Sequence, residues 1–176
     1  MALDTEIGGA GTDSYPDLAD IAAYAVAHGK TFVITGGTNE ADAEAAARRG
    51  TLFIDSFRSR FPGARTNGRS QAREWPRTGA TDADGEEIAD DEIPAEIIAA
   101  TCEAAILEKA TPGVLAPNVT PGQIKKSVSV EGAVSVEYAI GSGSAGEQIP
   151  VVTVIEGILE PLLGKRGSAT VPLLRM

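Results

Sequence analysis

The sequence is poor in the residue types that form disulfides, zinc sites and aromatic binding surfaces. Its 176 residues include one cysteine, one histidine and only 5% aromatic residues. A lone cysteine excludes an intrachain disulfide, and the chain lacks the His/Cys cluster of a zinc site. No apolar run approaches the roughly 18 residues that a membrane-spanning helix needs. We therefore expect one domain of ordinary size with no metal, no cofactor and no membrane partner.

The residues of common catalytic sites are also missing. His28 is the only histidine, so no Ser-His-acid triad forms without it, and no G-x-S-x-G motif surrounds any serine. Asp82, Asp84 and Glu86 alternate around Gly85 as in a calcium loop, but an EF-hand requires its glycine at the sixth loop position, and Gly85 would be the fourth. The sequence therefore predicts a solvated turn there, and a protein that is not an enzyme.

Acidic side chains outnumber basic ones. The chain has 25 Asp and Glu against 15 Lys and Arg, which gives a formal net charge of −10. Such a surface repels the phosphates of nucleic acids at long range. The composition therefore argues against DNA affinity as the main function, although it leaves room for a local basic patch.

Apolar periodicity predicts a mainly α fold, a small bundle of about four helices. The period of the apolar residues changes from the helical value to two residues where Val128 and Val130 alternate with serines. The same alternation follows in residues 134–140. This change predicts a β-hairpin inserted near residues 124–140. The predicted helices run from about 16 to 28, 38 to 61, 93 to 109 and 151 to 162.

The predicted organisation has three parts. A glycine-rich flexible arm, residues 1–13, precedes the helical domain with its hairpin, residues 14–164, and an extended tail spans residues 165–176. Within the domain, Gly50 indicates a close approach by a neighbouring helix, because it interrupts a helix that alanine would favour. Cys102 lies in an apolar helical stretch, which predicts a buried, inert thiol.

The few aromatic residues are predicted to serve the core. Phe53, Phe57 and Phe61 recur every four residues, which places three rings on one helical face. Trp75, flanked by two arginines, either stacks on a nucleobase or anchors a long loop onto the core. The second interpretation is favoured, because binders of single strands use a positive groove with several stacking aromatic residues.

Charge is distributed unevenly along the chain. Between residues 48 and 77 there are eight arginines and no lysine, and between residues 82 and 96 there are eight acids and no base. Three interpretations stay open: two solvated faces that neutralise each other within one subunit, a DNA-backbone patch, and a head-to-tail contact between the arginines of one subunit and the acids of the next. For the subunit contact, the candidate residues are Arg58, Arg65, Arg69, Trp75, Arg77, Asp90 and Asp91.

Several short blocks occur in an order that resembles one protein family. Over residues 14–164, this order resembles the head–tail adaptor proteins of tailed phages, which are often labelled DnaT-like single-stranded-DNA-binding proteins. The Trp-Pro-Arg-Thr-Gly block and the Val-Glu-Tyr strand are the most specific parts, whereas residues 30–37 depart from the family's usual tryptophan-containing stretch. The blocks are Ser14-Tyr15, Gln71-Ala72, Trp75-Pro76-Arg77-Thr78-Gly79, Asp82-x-Asp84-Gly85, Ile93-Pro94, Val134-Ser135-Val136-Glu137-Tyr138 and Pro161-Leu162-Leu163.

The resemblance implies a structural virion protein without catalytic activity. Relatives of this kind are mostly helical subunits that form a ring, commonly of twelve, in the neck between portal and tail. The expected partners are other copies of the chain, the portal protein and a tail or head-completion (stopper) protein. Double-stranded DNA would pass through the bore without specific binding. The expected location is the virion, after synthesis in the cytoplasm of the bacterial host; the alternative function is that of a single-stranded-DNA-binding replication accessory protein.

The C-terminal tail is short and apolar. We predict that Val171, Leu173 and Leu174 dock onto the portal, for example as an added strand, since extended apolar segments bind sheet edges in this way. Packing of the tail onto the chain's own core is the alternative.

Overall fold

The computed structural model describes residues 2–116, 127–130, 133–137 and 152–163, and within them the fold is mainly helical. The prediction of a small, mainly α domain with about four helices is confirmed, and each of the four predicted helices is present. The helices are α1 (Leu18–Ala27), α2 (Gly37–Asp55), α3 (Ala95–Ala110) and α4 (Thr153–Leu159).

The second helix ends earlier than its apolar pattern predicts. It stops at Asp55 and tightens into a 3-10 turn, Ser56–Ser59, where the Ser56 hydroxyl donates to the carbonyl of Phe53 at 2.6 Å. A serine that bonds to the backbone in this way competes with continued helix. The three predicted rings therefore do not share one helical face: Phe57 meets Phe53 edge-on at 5.6 Å, whereas Phe61 turns to Trp75.

Three antiparallel strand pairs complete the described fold. Two of them are very short and organise the loop between α2 and α3. The third is the predicted hairpin, whose strands pair with Ser127 opposite Glu137. The pairs are β1 (Ala64–Arg65) with β2 (Arg77–Thr78), β3 (Ala80–Thr81) with β4 (Glu87–Ile88), and β5 (Ser127–Val130) with β6 (Ala133–Glu137).

The central element is α3, which is buried on two sides. One face of α3, with Ile97, Ala100 and Ala104, lies in the cluster that contains Trp75 and α4. The other face, with Cys102 and Ala105, lies in the cluster that contains α1 and the first half of α2. This explains the wide apolar stripe of the sequence, because a helix that is apolar all round must be covered all round. Cys102 lies on this helix at 1% exposure, and burial raises the pKa of its thiol to about 12. The predicted burial of this thiol is confirmed, and its raised pKa favours the protonated, unreactive form.

The close approach predicted at Gly50 occurs between α2 and α3. A Cβ at this position would lie 2.8 Å from the backbone nitrogen of Ala105 and 3.1 Å from the carbonyl carbon of Ala104. Real Cβ atoms do not come so near to backbone, so the two helix axes must separate if any side chain is added. Glycine here sets the distance between the two central helices.

Replacing Gly50 with alanine is expected to destabilise the fold. Overpacking should lower the free energy of unfolding by about 1–3 kcal/mol. Gly157→Ala is the matched control, because Gly157 is also helical but a Cβ there meets nothing within 4 Å. Without a clash, that change should raise the free energy of unfolding by up to about 1 kcal/mol. Urea denaturation followed by circular dichroism measures both, and equal effects at the two sites would contradict the close approach.

The N-terminal segment is more ordered than the flexible arm predicted for residues 1–13. The amide of Asp13 donates to the carbonyl of Asp4 at 2.7 Å, and Thr12 is buried at 3% exposure. The amide of Ala72 donates to the carbonyl of Gly9 at 3.0 Å. Backbone hydrogen bonds therefore hold this segment onto the loop between α2 and α3.

Candidate nucleic-acid and subunit interface

The arginine segment, residues 48–77, could serve a nucleic acid or a second subunit only through guanidinium groups that the fold leaves available. Arg77 is not available, because it is buried at 7% exposure. Its guanidinium donates to the carbonyls of Pro62 (2.6 Å) and Gly63 (2.8 Å) and pairs with the carboxylate of Glu74 at 3.0 Å. These bonds close the loop that begins after α2.

Arg73 and Arg65 also bond within the chain. The Nε of Arg73 donates to the carbonyl of Thr12 at 2.8 Å, and its Nη1 lies 3.5 Å from the carboxylate of Asp55. The half-buried Arg65 donates to the carbonyl of Gln71 at 3.2 Å. Arg73 thereby fastens the N-terminal segment to the loop, and Arg65 closes the turn that follows β1.

Two arginines of α2 pair with acids. Arg48 lies 3.1 Å from the carboxylate of Asp13, and Arg49 lies 2.6 Å from that of Glu108, which is 1% exposed. Arg49 itself keeps 40% of its side-chain surface. These pairs link α2 to the N-terminal segment and to α3.

Two arginines of the segment are exposed without an ion pair in the part of the chain that the structure describes. They are Arg58, in the 3-10 turn after α2, and Arg69, in a second short turn, Gly68–Ser70. Arg60 is half-buried, with its guanidinium 5.9 Å from the centre of the Phe57 ring. Most arginines of the segment therefore stabilise the fold, and only Arg58 and Arg69 remain as exposed, unpaired positive charges in the described part of the chain.

Trp75 lies in the core at 1% exposure. Its ring meets Phe61 edge-on at 5.7 Å, and its backbone amide donates to the hydroxyl of Tyr15 at 3.2 Å. The interpretation of Trp75 as an anchor for the loop is confirmed, and a nucleobase cannot reach its ring. Trp75 and Arg77 likewise have almost no exposed surface with which to contact a second subunit. Their inclusion in the predicted subunit contact was therefore wrong, and only the exposed residues of that set remain candidates.

A buried hydrogen-bond network holds this anchor. Tyr15 donates from its hydroxyl to the carboxylate of Asp55 at 2.5 Å and accepts the amide of Glu74 at 3.1 Å. Burial raises the pKa of Tyr15 above its usual value, and the neighbouring Asp55 carboxylate adds to this shift. Burial also raises the pKa of Asp55, although the hydroxyl of Tyr15 and the charge of Arg73 oppose that shift. No sequence pattern marked this pair, which lies 40 residues apart.

The acidic segment, residues 82–96, does not lie wholly on the opposite side from the arginines. The carbonyl of Asp90 accepts the hydroxyl of Thr66 at 2.8 Å, and its carboxylate accepts that of Thr78 at 3.1 Å. Thr66 follows β1 directly, beside Arg65. Asp90 therefore lies against the arginine segment of its own chain, which disfavours a head-to-tail contact that sets Arg65 against Asp90 of the next subunit. Asp91 is exposed next to it.

The turn at Asp82 is held by its own side chain. Asp82 accepts the amides of Asp84 and Glu86 on one carboxylate oxygen, each at 2.9 Å. This is the turn that the sequence predicted. Within residues 2–116, 127–130, 133–137 and 152–163, no group of three or more His, Cys, Asp or Glu side chains is arranged to hold a metal ion. Over the same residues no helix is long and apolar enough to cross a membrane.

Glu108 anchors the chain that leads from α3 towards the hairpin. Its buried carboxylate accepts the amides of Gly113 (2.8 Å) and Leu115 (2.9 Å) in addition to Arg49. Burial alone would raise the pKa of Glu108, but these donors outweigh it, so the pKa lies below its usual value of 4.5. Sequence reasoning missed this residue, since its partners are backbone amides.

The depressed pKa of Glu108 predicts a loss of stability in acid. A group whose folded pKa is lowered stabilises the fold above its unfolded pKa, and the contribution disappears as pH falls from about 4.5 through the folded pKa. Glu108→Gln should lower the free energy of unfolding at pH 7 by about 1–3 kcal/mol and flatten its decline below pH 4.5. Glu92→Gln, an exposed loop residue, is the control and should change neither quantity. Denaturant titrations between pH 3 and pH 7 measure this, and an undiminished slope in Glu108→Gln would contradict it.

The predicted portal-docking residues Val171, Leu173 and Leu174 lie outside the described residues, and so does the tail as a whole. Their docking stays a prediction. The strands of the hairpin are described, but their side-chain surroundings are not.

These features define a class of protein: a small, mainly helical domain with a β-hairpin, whose long arginine-rich loop is anchored by a buried tryptophan. Along its whole length, residues 1–176, the chain matches the family model described as "Putative DnaT-like ssDNA binding protein". The chain belongs to this family. Neither the curated proteins nor the solved structures gave a match to it.

Proposed function

We propose that this chain is a structural subunit of a tailed-phage particle, a head–tail adaptor that forms a ring between the portal and the tail. The observation that carries the proposal is the burial of Trp75 and Arg77 within the Trp75–Gly79 block, which is the most specific part of the resemblance to the adaptor proteins. Its tryptophan and arginine build the core of the subunit and are not presented to a nucleic acid. This supports a role in shape and assembly.

The electrostatics support the same role. The chain carries a net charge of −10, and six of the eight arginines in residues 48–77 bond within the chain or stack on its own aromatic ring. An acidic bore would let duplex DNA slide during packaging and ejection without retaining it. In this proposal the helices form a rigid body, and copies of the chain contact one another laterally. The hairpin and the C-terminal segment of each copy contact the portal on one side of the ring and the stopper or phage-tail protein on the other.

The proposal is tested by assembly on the portal. Full-length chain is mixed with the purified portal of the same particle, and the stoichiometry is measured by native mass spectrometry. We expect a symmetric ring, with twelve copies per portal ring, even if the chain alone is monomeric. Particles made without the chain should fail to join heads to tails. Normal joining in its absence, or its absence from finished virions, would overturn the proposal.

A second candidate function is single-stranded-DNA binding in replication. The description of the family that the chain belongs to favours it directly. In the described part of the chain, its basis would be the exposed Arg58 and Arg69, since no aromatic side chain there is classed as exposed and Trp75 is buried. Stacking aromatic residues supply much of the affinity of such binders.

Fluorescence anisotropy with a labelled oligonucleotide separates the two functions. The adaptor function predicts no saturable binding at physiological salt, and no change of the Trp75 emission on adding DNA. The single-strand function predicts tight binding that weakens steeply with salt, and that the double variant Arg58→Glu, Arg69→Glu loses. The double variant Thr31→Glu, Thr35→Glu, which adds negative charge at exposed positions outside the arginine segment, is the control for unspecific charge effects and should keep most of the affinity under the single-strand function.

A further inference from the structure

The first helix is apolar on the side that faces away from the core. Every residue of α1 except Asp20 is apolar, counting Tyr24, yet the core takes up mainly one side of it, including the buried Ile21 and Ala25. Val26 is 79% exposed, the highest exposure among the large apolar side chains of the described residues. A helix that is apolar all round is normally covered all round, so this face indicates a contact.

The outward face of α1 is defined by four exposed side chains at helical spacing: Ala19, Ala23, Val26 and Ala27. The charged residues at the N-terminal end of the face are acidic, whereas Lys30, beyond its C-terminal end, pairs with Glu103. Asp17 caps the helix, Asp20 lies in its first turn, and no basic residue occurs within Leu18–Ala27. The face is therefore an apolar strip with a negative rim at one end.

A complementary surface lies at the end of α2 of the same chain. Leu52 is 57% exposed and lies opposite the face that α2 buries, as its spacing from Ala43, Ala47 and Ile54 shows. Its basic neighbours are the exposed Arg58, in the turn that follows the helix, and Arg49, one turn earlier, which keeps 40% of its side-chain surface although it pairs with Glu108. Arg48, also one turn earlier, is half-buried and pairs with Asp13. This surface, which we call the Leu52 surface, is an apolar spot with a positive rim.

We propose that the outward face of α1 binds the Leu52 surface of a second copy of this chain. The apolar centres match, and the acidic rim of one surface meets the basic rim of the other. The two surfaces differ, so the contact is head-to-tail, and repeated copies close into a ring when the rotation fits. This contact would join neighbouring subunits of the proposed adaptor ring. The inference rests on the proposed function, because that function requires copies of the chain to bind one another.

Cysteine trapping tests the contact directly. The native Cys102 is buried, so engineered cysteines on the surface are the reactive ones. Full-length Val26→Cys and Leu52→Cys are oxidised separately and then as a mixture. A head-to-tail contact predicts a disulfide-linked dimer in the mixture, at several times the yield of either variant alone. Val26→Cys mixed with Ala83→Cys, an exposed residue of the acidic turn, is the matched control and should stay at background.

Each outcome decides the inference. Dimers that form from Val26→Cys alone would show a symmetric α1 contact and overturn the head-to-tail arrangement. A mixture that gives no more dimer than the control pair would overturn the contact altogether. The dimer yield should also fall as salt is raised, because the rims are charged.

Failure of this inference is distinguishable from failure of the proposed function. If the chain forms rings on the portal but the cysteine pair gives only background, the adaptor function stands and the lateral contact lies elsewhere. If the pair cross-links but no ring forms on the portal, the contact stands and the adaptor function fails. Ala23→Asp, added to the Val26→Cys chain, should lower the yield of the dimer with Leu52→Cys while circular dichroism stays unchanged, which excludes misfolding as the cause.

Discussion

Trp75→Ala is expected to lower the free energy of unfolding by about 3–5 kcal/mol, a large part of the stability of a domain this size. The side chain is 1% exposed and meets Phe61, so its removal leaves a cavity among residues of α2, α3 and α4. The backbone around it is held by Tyr15 and Arg77, which limits collapse into the space. Urea denaturation followed by circular dichroism at 222 nm measures the loss.

Trp75→Phe is the graded control for this cavity. In the described part of the structure the indole Nε1 has no hydrogen-bond partner. Replacing the indole with a phenyl ring therefore reduces the buried volume but removes no hydrogen bond. The loss should then be smaller than for alanine. A base-stacking tryptophan at the surface would give the opposite pattern, with little loss of stability in either variant and a loss of DNA affinity in both. That result would remove the anchor interpretation and favour the single-strand function.

Gly63→Ala is expected to cost about 3 kcal/mol, for two separable reasons. Gly63 has a φ of 66°, where a side chain is strained, and its added Cβ would overlap the carbonyl oxygen of Thr78 and lie 2.9 Å from the nitrogen of Ala80. Gly79 has a φ of 64° but a Cβ there meets nothing within 4 Å. Gly79→Ala therefore carries only the conformational cost of about 1 kcal/mol.

The difference between the two glycine variants isolates the steric clash. Thermal unfolding should show a midpoint several degrees lower for Gly63→Ala than for Gly79→Ala. Equal midpoints would mean that the loop yields easily at Gly63, and that Arg77 does not hold it firmly to the carbonyl of Gly63. The comparison thus reports on the rigidity of the loop that Trp75 anchors.

The helices and the hairpin could be predicted because both follow from the spacing of apolar residues. The burial of α3 on two sides was already visible in the width of its apolar stripe, and Gly50 marked the closest helix contact. The early end of α2 could not be predicted from spacing, since the phenylalanines continue at intervals of four beyond it. The helix ends there because the hydroxyl of Ser56 bonds to the carbonyl of Phe53, and because Phe61 packs against Trp75 and not along the helical face.

The use of the arginines could not be predicted from the sequence. Their partners are backbone carbonyls, such as those of Thr12, Pro62 and Gly63, or acids far along the chain, such as Asp55 and Glu108. A run of one charge therefore resembles a binding surface whether its members are free or internally bonded. The order of the N-terminal segment was hidden for a related reason, because its bonds use backbone groups that every residue carries.

The attachment of the first residues has a practical consequence for binding measurements. Cutting away residues 2–13 would remove three carboxylates, those of Asp4, Glu6 and Asp13. Arg48 would lose the Asp13 carboxylate and the carbonyl of Ala2, and Arg73 would lose the carbonyl of Thr12. The trimmed protein would show guanidinium groups that the intact molecule keeps engaged. Affinity for oligonucleotides seen only after such trimming would then be a product of proteolysis, and preparations should be checked for an intact first residue before DNA is added.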